Sequence, residues 1–144
     1  MLKMNRYISL VFLAAFLSLL VGCSKTFIVK PSGNFSDSVR FDFYESKDAR
    51  ETTKFGVVEF VVQKEVDGGE WVTIWELRGK QSLSFIEYGS KYDDLNEVVS
   101  PDSLEKNVNY RVLVAEVSFS GPKGYSGSEF YFKESGEIVV KKYK

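Results

Sequence analysis

The sequence predicts an all-β protein, an antiparallel sandwich of about seven or eight strands that follows a short N-terminal leader. Segments rich in β-branched and aromatic residues alternate with clusters of Gly, Ser, Asn and Asp. Turn signals recur about every 8–12 residues, which is typical of sandwiches. Beyond the leader, the sequence has no helical periodicity, internal repeat or coiled-coil pattern.

The leader has a basic start, Lys3 and Arg6, and an uncharged 14-residue run over 8–21. As a helix this run would span roughly 21 Å at about 1.5 Å per residue, short of a bilayer core of about 30 Å. Such features mark an export signal, although the Ala-x-Ala-like cleavage site of ordinary signals is absent. The run ends instead at Leu20, Val21, Gly22 and Cys23, which is the only cysteine in the chain.

These four residues resemble the lipobox of bacterial lipoproteins. The resemblance implies that residues 1–22 are removed and that Cys23 becomes the acylated first residue, joined by a tether over 23–26 to a domain over 27–144. Each buried CH₂ adds about 0.8 kcal/mol, so several acyl chains hold a protein firmly on a membrane. Ser24 stands where an Asp favours inner-membrane retention, which implies the periplasmic face of the outer membrane. The residues alone also allow an uncleaved anchor or a buried cysteine.

The mature chain of 122 residues has the length of one domain. The leader removes Lys3 and Arg6 from the 19 basic residues, which leaves 17 against 20 acidic ones. This mildly acidic balance argues against nucleic acid or an anionic bilayer as a general electrostatic partner. With Cys23 acylated no internal disulfide can form, so packing must supply the stability.

The strands are predicted in order from their patterns. In the second strand Val39, Phe41 and Phe43 alternate with polar residues, which indicates one buried face. A charged loop follows over 45–54, and Asp67-Gly68-Gly69 is a hairpin turn signal. A last hairpin turns at Ser135-Gly136. The eight predicted strands are 27–30, 39–44, 57–66, 71–77, 82–87, 108–119, 129–133 and 137–142.

Leu104 lies six residues before Tyr110, a tyrosine that begins a strand. This spacing resembles the tyrosine corner of immunoglobulin-like and fibronectin type III domains, in which the hydroxyl bonds upstream backbone and the ring joins the core. The hairpin over 57–75 looks like the C and C′ strands of the latter. Lys106 and Phe43 depart from the fibronectin pattern, which has proline and tryptophan there, and the E–F connection is longer. The resemblance implies an immunoglobulin-like sandwich; strand counting also allows a transthyretin-like sandwich or a small barrel.

The absence of histidine from the sequence excludes Ser-His and Cys-His nucleophile pairs and His-based zinc sites. The segment 121–127 lacks the Lys-Ser pair and the following helix of a phosphate loop. The acidic run 93–97 lacks the glycine and the spacing of an EF-hand loop, which favours a solvated loop over a calcium site. Spacing alone leaves a two-carboxylate hydrolase open. We predict a non-enzymatic protein without a metal, a small-molecule cofactor or a nucleic-acid partner.

Two loops are candidates for function. The segment 88–107 has 20 residues without a clear strand, and connections of that length are uncommon unless they are functional, disordered or carry a short helix. Its candidate contacts with a protein partner are Tyr88, Tyr92, Asp93 and Asp94. Packing of both tyrosines against the sandwich edge is the alternative. The second loop, 119–128, offers Phe119, Pro122, Lys123 and Tyr125, which could equally serve only to link two strands.

The short tether predicts an orientation on the membrane. Three extended residues reach about 10 Å, so the end of the sandwich at which the first strand begins should lie near the bilayer. We therefore expect the loops 45–54 and 119–128 near the bilayer. The segment 88–107, the turn 67–69 and the C-terminus should face away from it.

Three functions are compatible with these features. The first is a membrane-anchored envelope lipoprotein that acts as a protein-binding or accessory module in the periplasm. The second is an immunity lipoprotein that neutralises a toxin delivered to the periplasm, as in type VI secretion; short, acidic, lipidated and catalytically bare proteins are typical of that role. The third is a small hydrolase or sugar-binding module, in which Trp71 and Trp75, placed on one strand face by their i, i+4 spacing, could stack on sugar rings; packing of that face in the core is the alternative, and the spacing favours it.

Overall fold

A computed structural model describes residues 27–117 and 124–144 of the chain. The regular structure of these residues is entirely β and comprises nine strands. In chain order they are β1 (Ile28–Gly33), β2 (Val39–Tyr44), β3 (Phe55–Val66), β4 (Glu70–Leu83), β5 (Phe85–Glu87), β6 (Leu95–Val99), β7 (Tyr110–Glu116), β8 (Tyr125–Phe132) and β9 (Ile138–Tyr143).

The strands form two packed antiparallel sheets, ordered β1-β2-β5 and β6-β4-β3-β7-β8-β9. Strands β1, β2 and β5 take the places of A, B and E in an immunoglobulin-like sandwich, and β3, β7 and β8 take those of C, F and G. The predicted antiparallel β-sandwich is therefore confirmed, with nine strands in place of about seven or eight, and these six strands follow the immunoglobulin-like order. Strands β6 and β9 extend the larger sheet at its two edges.

Aromatic rings dominate the core between the sheets. Phe41 of the small sheet lies with its ring centroid 5.4 Å from that of Phe60 and 5.7 Å from that of Phe130 in the large sheet. Phe27 stacks on Phe55 at 4.4 Å and closes the end at which β1 begins. Burial of one such side chain contributes about 1.5–3 kcal/mol, so packing of this kind can hold together a chain with a single cysteine.

The structure corrects the predicted strands in several places. Strand β1 continues to Gly33, three residues beyond the predicted end. The segment 88–107, predicted to lack a clear strand, contains β6. Strand β8 begins at Tyr125 rather than Glu129. The small residues 126–128 have a composition typical of a loop, but they are buried within the sheet. The predicted strand 82–87 is divided at Ser84: its first part ends β4 in the large sheet, and only Phe85–Glu87 pairs with β2 in the small one.

A β-bulge separates the two tryptophans of β4. The pairing of β4 with β3 shifts between Val62↔Trp75 and the next pair, which makes Ile74 the extra residue. Trp75 is fully buried and meets the Phe60 ring edge-on at 5.3 Å. Trp71 is half-buried on the outer face, where the Arg111 guanidinium lies 4.5 Å from its ring centroid. The prediction that both tryptophans share a face is wrong because the bulge reverses the alternation.

The sandwich has two poles. The near pole, where β1 begins, carries Phe27 and the loop 45–54, because Ile28 pairs with Tyr44. The far pole carries the turn 67–69 between β3 and β4. Strand β9 starts at the far pole and runs back, so that the Tyr143 ring lies 5.8 Å from Lys47 Nζ in the near-pole loop. The prediction that the C-terminus lies at the far end is wrong. Strand β9 is additional to the immunoglobulin-like pattern, and it brings the chain back to the near pole.

Candidate functional site

Tyr110, the first residue of β7, has the tyrosine-corner geometry that the sequence predicts. Its ring is fully buried and stacks on Phe130 at a centroid distance of 5.7 Å. Its hydroxyl accepts a hydrogen bond from the backbone N–H of Glu105 at 2.7 Å. Burial raises the pKa of Tyr110, and the hydrogen bond from Glu105 opposes that rise. The end of the connection between β5 and β7 is thus tied to the core.

Tyr88 and Tyr92 tie down the start of the same connection. The Tyr88 ring meets Trp75 edge-on at 5.0 Å, and its hydroxyl donates to the carbonyl of Asp102 at 2.7 Å. The Tyr92 hydroxyl accepts the backbone N–H of Glu87 at 2.7 Å. Burial raises the pKa of both tyrosines. Both hydroxyls, predicted as contacts for a partner, are therefore used within the fold.

The carboxylates of this connection have a different environment from its tyrosines. Residues 92–105 include five acidic side chains and no basic one. Val98, the extra residue of a bulge in β6, is 52 % exposed. We call the exposed residues between positions 93 and 98 the β6 surface; they are Asp93, Asp94, Asn96, Glu97 and Val98, and the exposed Lys91 lies just before them. This surface keeps the two predicted aspartates together with Asn96 and Glu97 of the same acidic run, and it adds Val98, which the sequence did not indicate.

A cavity of about 250 Å³ opens beside the β6 surface. It is smaller than the roughly 300–1,000 Å³ that is usual for sites of small molecules and cofactors. Its size suits a single side chain better than a cofactor. The lining residues are Leu77, Ser90, Lys91, Tyr92, Leu95, Asn96 and Glu97.

Tyr125 lies apart from the β6 surface. It is 47 % exposed on the outer face of the large sheet, and its hydroxyl donates to Glu59 Oε2 at 3.0 Å. That hydrogen bond to the carboxylate is the main cause of the raised pKa of Tyr125. Arg78 completes the cluster, with its Nε 2.6 Å from Glu76 Oε1. The other predicted residues of that loop, Phe119, Pro122 and Lys123, lie outside the described residues.

The outer face also bears on the sugar-binding alternative. The Arg111 guanidinium lies over the Trp71 ring, and Arg111 Nε donates to Gln63 Oε1 at 2.5 Å. Gln63 in turn donates to Thr73 Oγ1 at 3.2 Å. One face of the Trp71 ring is therefore covered by protein, and Trp75 is buried, so the two rings do not form a stacking platform together.

Within the ranges 27–117 and 124–144, no group of three or more acidic, Cys or His side chains is arranged to hold a metal ion. The predicted processing residues Leu20, Val21, Gly22 and Cys23 precede the described residues. Sequence reasoning considered Glu97 only as part of the acidic run 93–97 and missed both Val98 and strand β6; the only local signal for this strand was Val98-Val99, a β-branched pair inside an acidic segment.

In the part of the chain that the structure describes, no helix has the length and apolar character needed to cross a membrane. The chain was compared with protein-family models, with curated proteins and with solved structures, and none of them matches it.

Proposed function

We propose that this chain is a lipid-anchored protein of the bacterial envelope whose sandwich binds another protein through the β6 surface, without catalysis. The observation that supports the binding role is the ordering of the connection between β5 and β7. Three tyrosine hydroxyls fix its backbone while its acidic side chains and Val98 stay exposed. A surface that is already ordered loses less conformational entropy on binding, which favours recognition.

The anchor rests on the sequence alone. A basic start, a 14-residue apolar run and the lipobox-like Leu20-Val21-Gly22-Cys23 support acylation of Cys23. Phe27 is buried at the near pole, only four positions after that cysteine. The near pole then lies against the membrane, and the position of Ser24 favours the periplasmic face of the outer membrane.

The binding role is tested by photo-crosslinking in cells that produce the full chain. A photoreactive side chain in place of Val98 should give a discrete adduct with a protein of the envelope. The same side chain in place of Tyr125 is the matched control, since Val98 and Tyr125 are 52 % and 47 % exposed. Adducts from Tyr125 alone, or from neither position, would contradict the proposal.

The anchor is tested separately with Cys23→Ala. This variant should incorporate no labelled palmitate, keep its leader and change its distribution between membrane and soluble fractions. Ser24→Ala, next to it, should incorporate palmitate normally. Unaltered processing and sedimentation of Cys23→Ala would rule out the lipid anchor without touching the binding role.

The acidic run 92–105 favours one narrower role, the immunity lipoprotein, because a cationic toxin would meet a complementary surface. Cells that lack the gene should then grow normally alone and die beside sister cells that deliver the toxin. Restoring the gene should protect them, whereas a copy with Asp93, Asp94 and Glu97 changed to Lys should not. Survival of the deletion strain beside its sisters would exclude this role and leave the general binding role standing.

A further inference from the structure

Four strands form the edges of the two sheets, and three of these edges are protected. An edge strand presents unpaired N–H and C=O groups that can pair with another chain unless Pro, Lys or a very short strand prevents it. Edge β1 contains Pro31, which has no N–H, and edge β9 carries Lys141 and Lys142. Edge β5 has only three residues, and Arg40 lies 4.6 Å from the ring of its exposed Phe85.

Edge β6 has neither a proline nor a lysine, and its protective bulge at Val98 lies beyond Glu97, so the pairing over Leu95–Glu97 is regular. The backbone N–H of Lys80 donates to the Asp94 carbonyl at 3.1 Å, and Gly79 pairs with Leu95. Lys80 and Asp94 thus form a hydrogen-bonded pair. Because hydrogen-bonded and non-hydrogen-bonded pairs alternate along an antiparallel ladder, the next hydrogen-bonded pair is Arg78 with Asn96. The backbone groups of Leu95 and Glu97 consequently point away from β4, toward the free side of the edge.

The chemistry around this edge selects its occupant. Four of the five acidic residues over 92–105 have no basic partner among the described residues, and the fifth, Glu105, pairs with Lys64 at 3.0 Å. A second copy of the chain would place like charges opposite one another, which destabilises paired strands. A basic strand would meet opposite charges instead. Val98 adds an exposed apolar contact.

We propose that β6 accepts an extended, basic segment of a partner protein as a tenth strand of the sandwich. Main-chain hydrogen bonds from Leu95 and Glu97 supply the pairing, and a side chain of the added strand faces the cavity beside Tyr92. The Asp93, Asp94 and Glu97 carboxylates select for Lys or Arg. This inference deepens the proposed binding function and rests on it, but it does not depend on lipidation.

The test uses the full chain in detergent micelles and two synthetic nine-residue peptides, one alternating Val with Lys and the other alternating Val with Glu. Amide hydrogen exchange is followed residue by residue. The Lys peptide should slow exchange at Leu95 and Glu97 by at least about tenfold, as expected when a free N–H becomes part of a ladder. The Glu peptide should leave these amides unchanged. Equal protection by both peptides, or protection confined to β9, would overturn the inference.

Three variants separate backbone pairing from charge. Glu97→Pro removes the outward N–H and should abolish protection at Leu95, whereas Glu97→Ala removes only the carboxylate and should weaken Lys-peptide binding by about two- to fivefold. Glu97→Lys places a blocking lysine on the exposed edge and should abolish binding of the Lys peptide. This variant keeps the test valid if Glu97→Pro does not fold. Unchanged protection at Leu95 in Glu97→Lys would refute strand addition.

The outcomes also separate this inference from the proposed function. A protein crosslinked through Val98 in cells, together with no protection by the Lys peptide, would refute strand addition and leave the binding role intact. Protection by the Lys peptide without any cellular adduct at Val98 would show a competent edge and contradict the proposed binding role.

Discussion

Replacing Tyr110 by Phe removes one hydroxyl and leaves the rest of the corner in place. The ring keeps its stacking on Phe130 at 5.7 Å, while the Glu105 N–H loses the acceptor that lies 2.7 Å away. A lost hydrogen bond costs about 1 kcal/mol, and up to about 3 kcal/mol where the N–H is left dry. Because the Glu105 side chain is 56 % exposed, water can reach this region, and we expect a loss of about 1–2 kcal/mol. In a domain of this size that lowers the melting temperature by roughly 5 °C.

Urea unfolding measures the loss, with an unchanged slope as the sign that the denatured state is unaffected. In Tyr110→Phe, the Glu105 amide should exchange its hydrogen faster than it does in the unsubstituted protein, and faster than the amides of β7. Tyr131→Phe is the control, since the Tyr131 side chain is half-buried in the neighbouring strand and its hydroxyl has no hydrogen-bond partner within the described ranges. An equal loss of stability in Tyr131→Phe, or an unchanged Glu105 amide, would refute the role assigned to this hydroxyl.

Two further predictions concern the β6 side and alkaline pH. Gly79→Ala would place a methyl group 2.0 Å from the Asp94 carbonyl oxygen, so β6 must shift, and we expect a loss of about 1–3 kcal/mol in urea unfolding. Gly124→Ala is the control, because a methyl group there meets no described residue within 4 Å, and a comparable loss in both variants would contradict the clash. Burial raises the pKa of Tyr88, Tyr92 and Tyr110 above the ordinary value of 10.0, so the folded state binds more protons than the unfolded state above that pH. The stability that these tyrosines contribute is fully present below pH 10 and falls as the pH rises further. This fall should be shallower in Tyr88→Phe, which lacks one of the raised pKa values. A free energy of unfolding that stays constant from pH 9 to about pH 11.5 would contradict the prediction.

Local patterns in the sequence predict much of this fold. The alternation of Val39, Phe41 and Phe43 reports one buried face directly, because successive side chains of a strand point to opposite sides. The spacing of Leu104 and Tyr110 is equally local, since the hydroxyl reaches backbone only five residues upstream. Such features depend on neighbours in the chain and can be recognised without knowing which strands pair.

Features that depend on a distant partner strand escape this kind of reasoning. The bulge at Ile74 exists only in the register between β3 and β4, so the sequence of β4 alone suggests the wrong face for Trp71. Strand β6 is an edge with Asn96 and Glu97 both exposed, and no buried face leaves an alternation there. Strand β9 pairs beyond the usual last strand and sends the C-terminus back toward the near pole.

The sequence predicts that the aspartates of the candidate segment are exposed, but it does not predict the environment of the tyrosines. The segment 88–107 is identified by its length and its tyrosines, and the structure keeps Asp93 and Asp94 exposed there. A tyrosine is apolar along its ring and polar at its tip, so the sequence cannot tell whether the hydroxyl faces solvent or backbone. In Tyr88 and Tyr92 it faces backbone, which is why the proposed binding surface is placed on β6 instead.

The bulge in β4 provides this protein with two independent optical reporters. Trp75 lies in the core with its indole N–H free of any hydrogen bond within the described ranges, so its emission should lie toward the blue and follow the docking of the two sheets. Trp71 lies under the Arg111 guanidinium and partly in water, so its emission should lie further to the red. Fluorescence of Trp71→Phe would therefore follow the core alone, and fluorescence of Trp75→Phe the outer face alone.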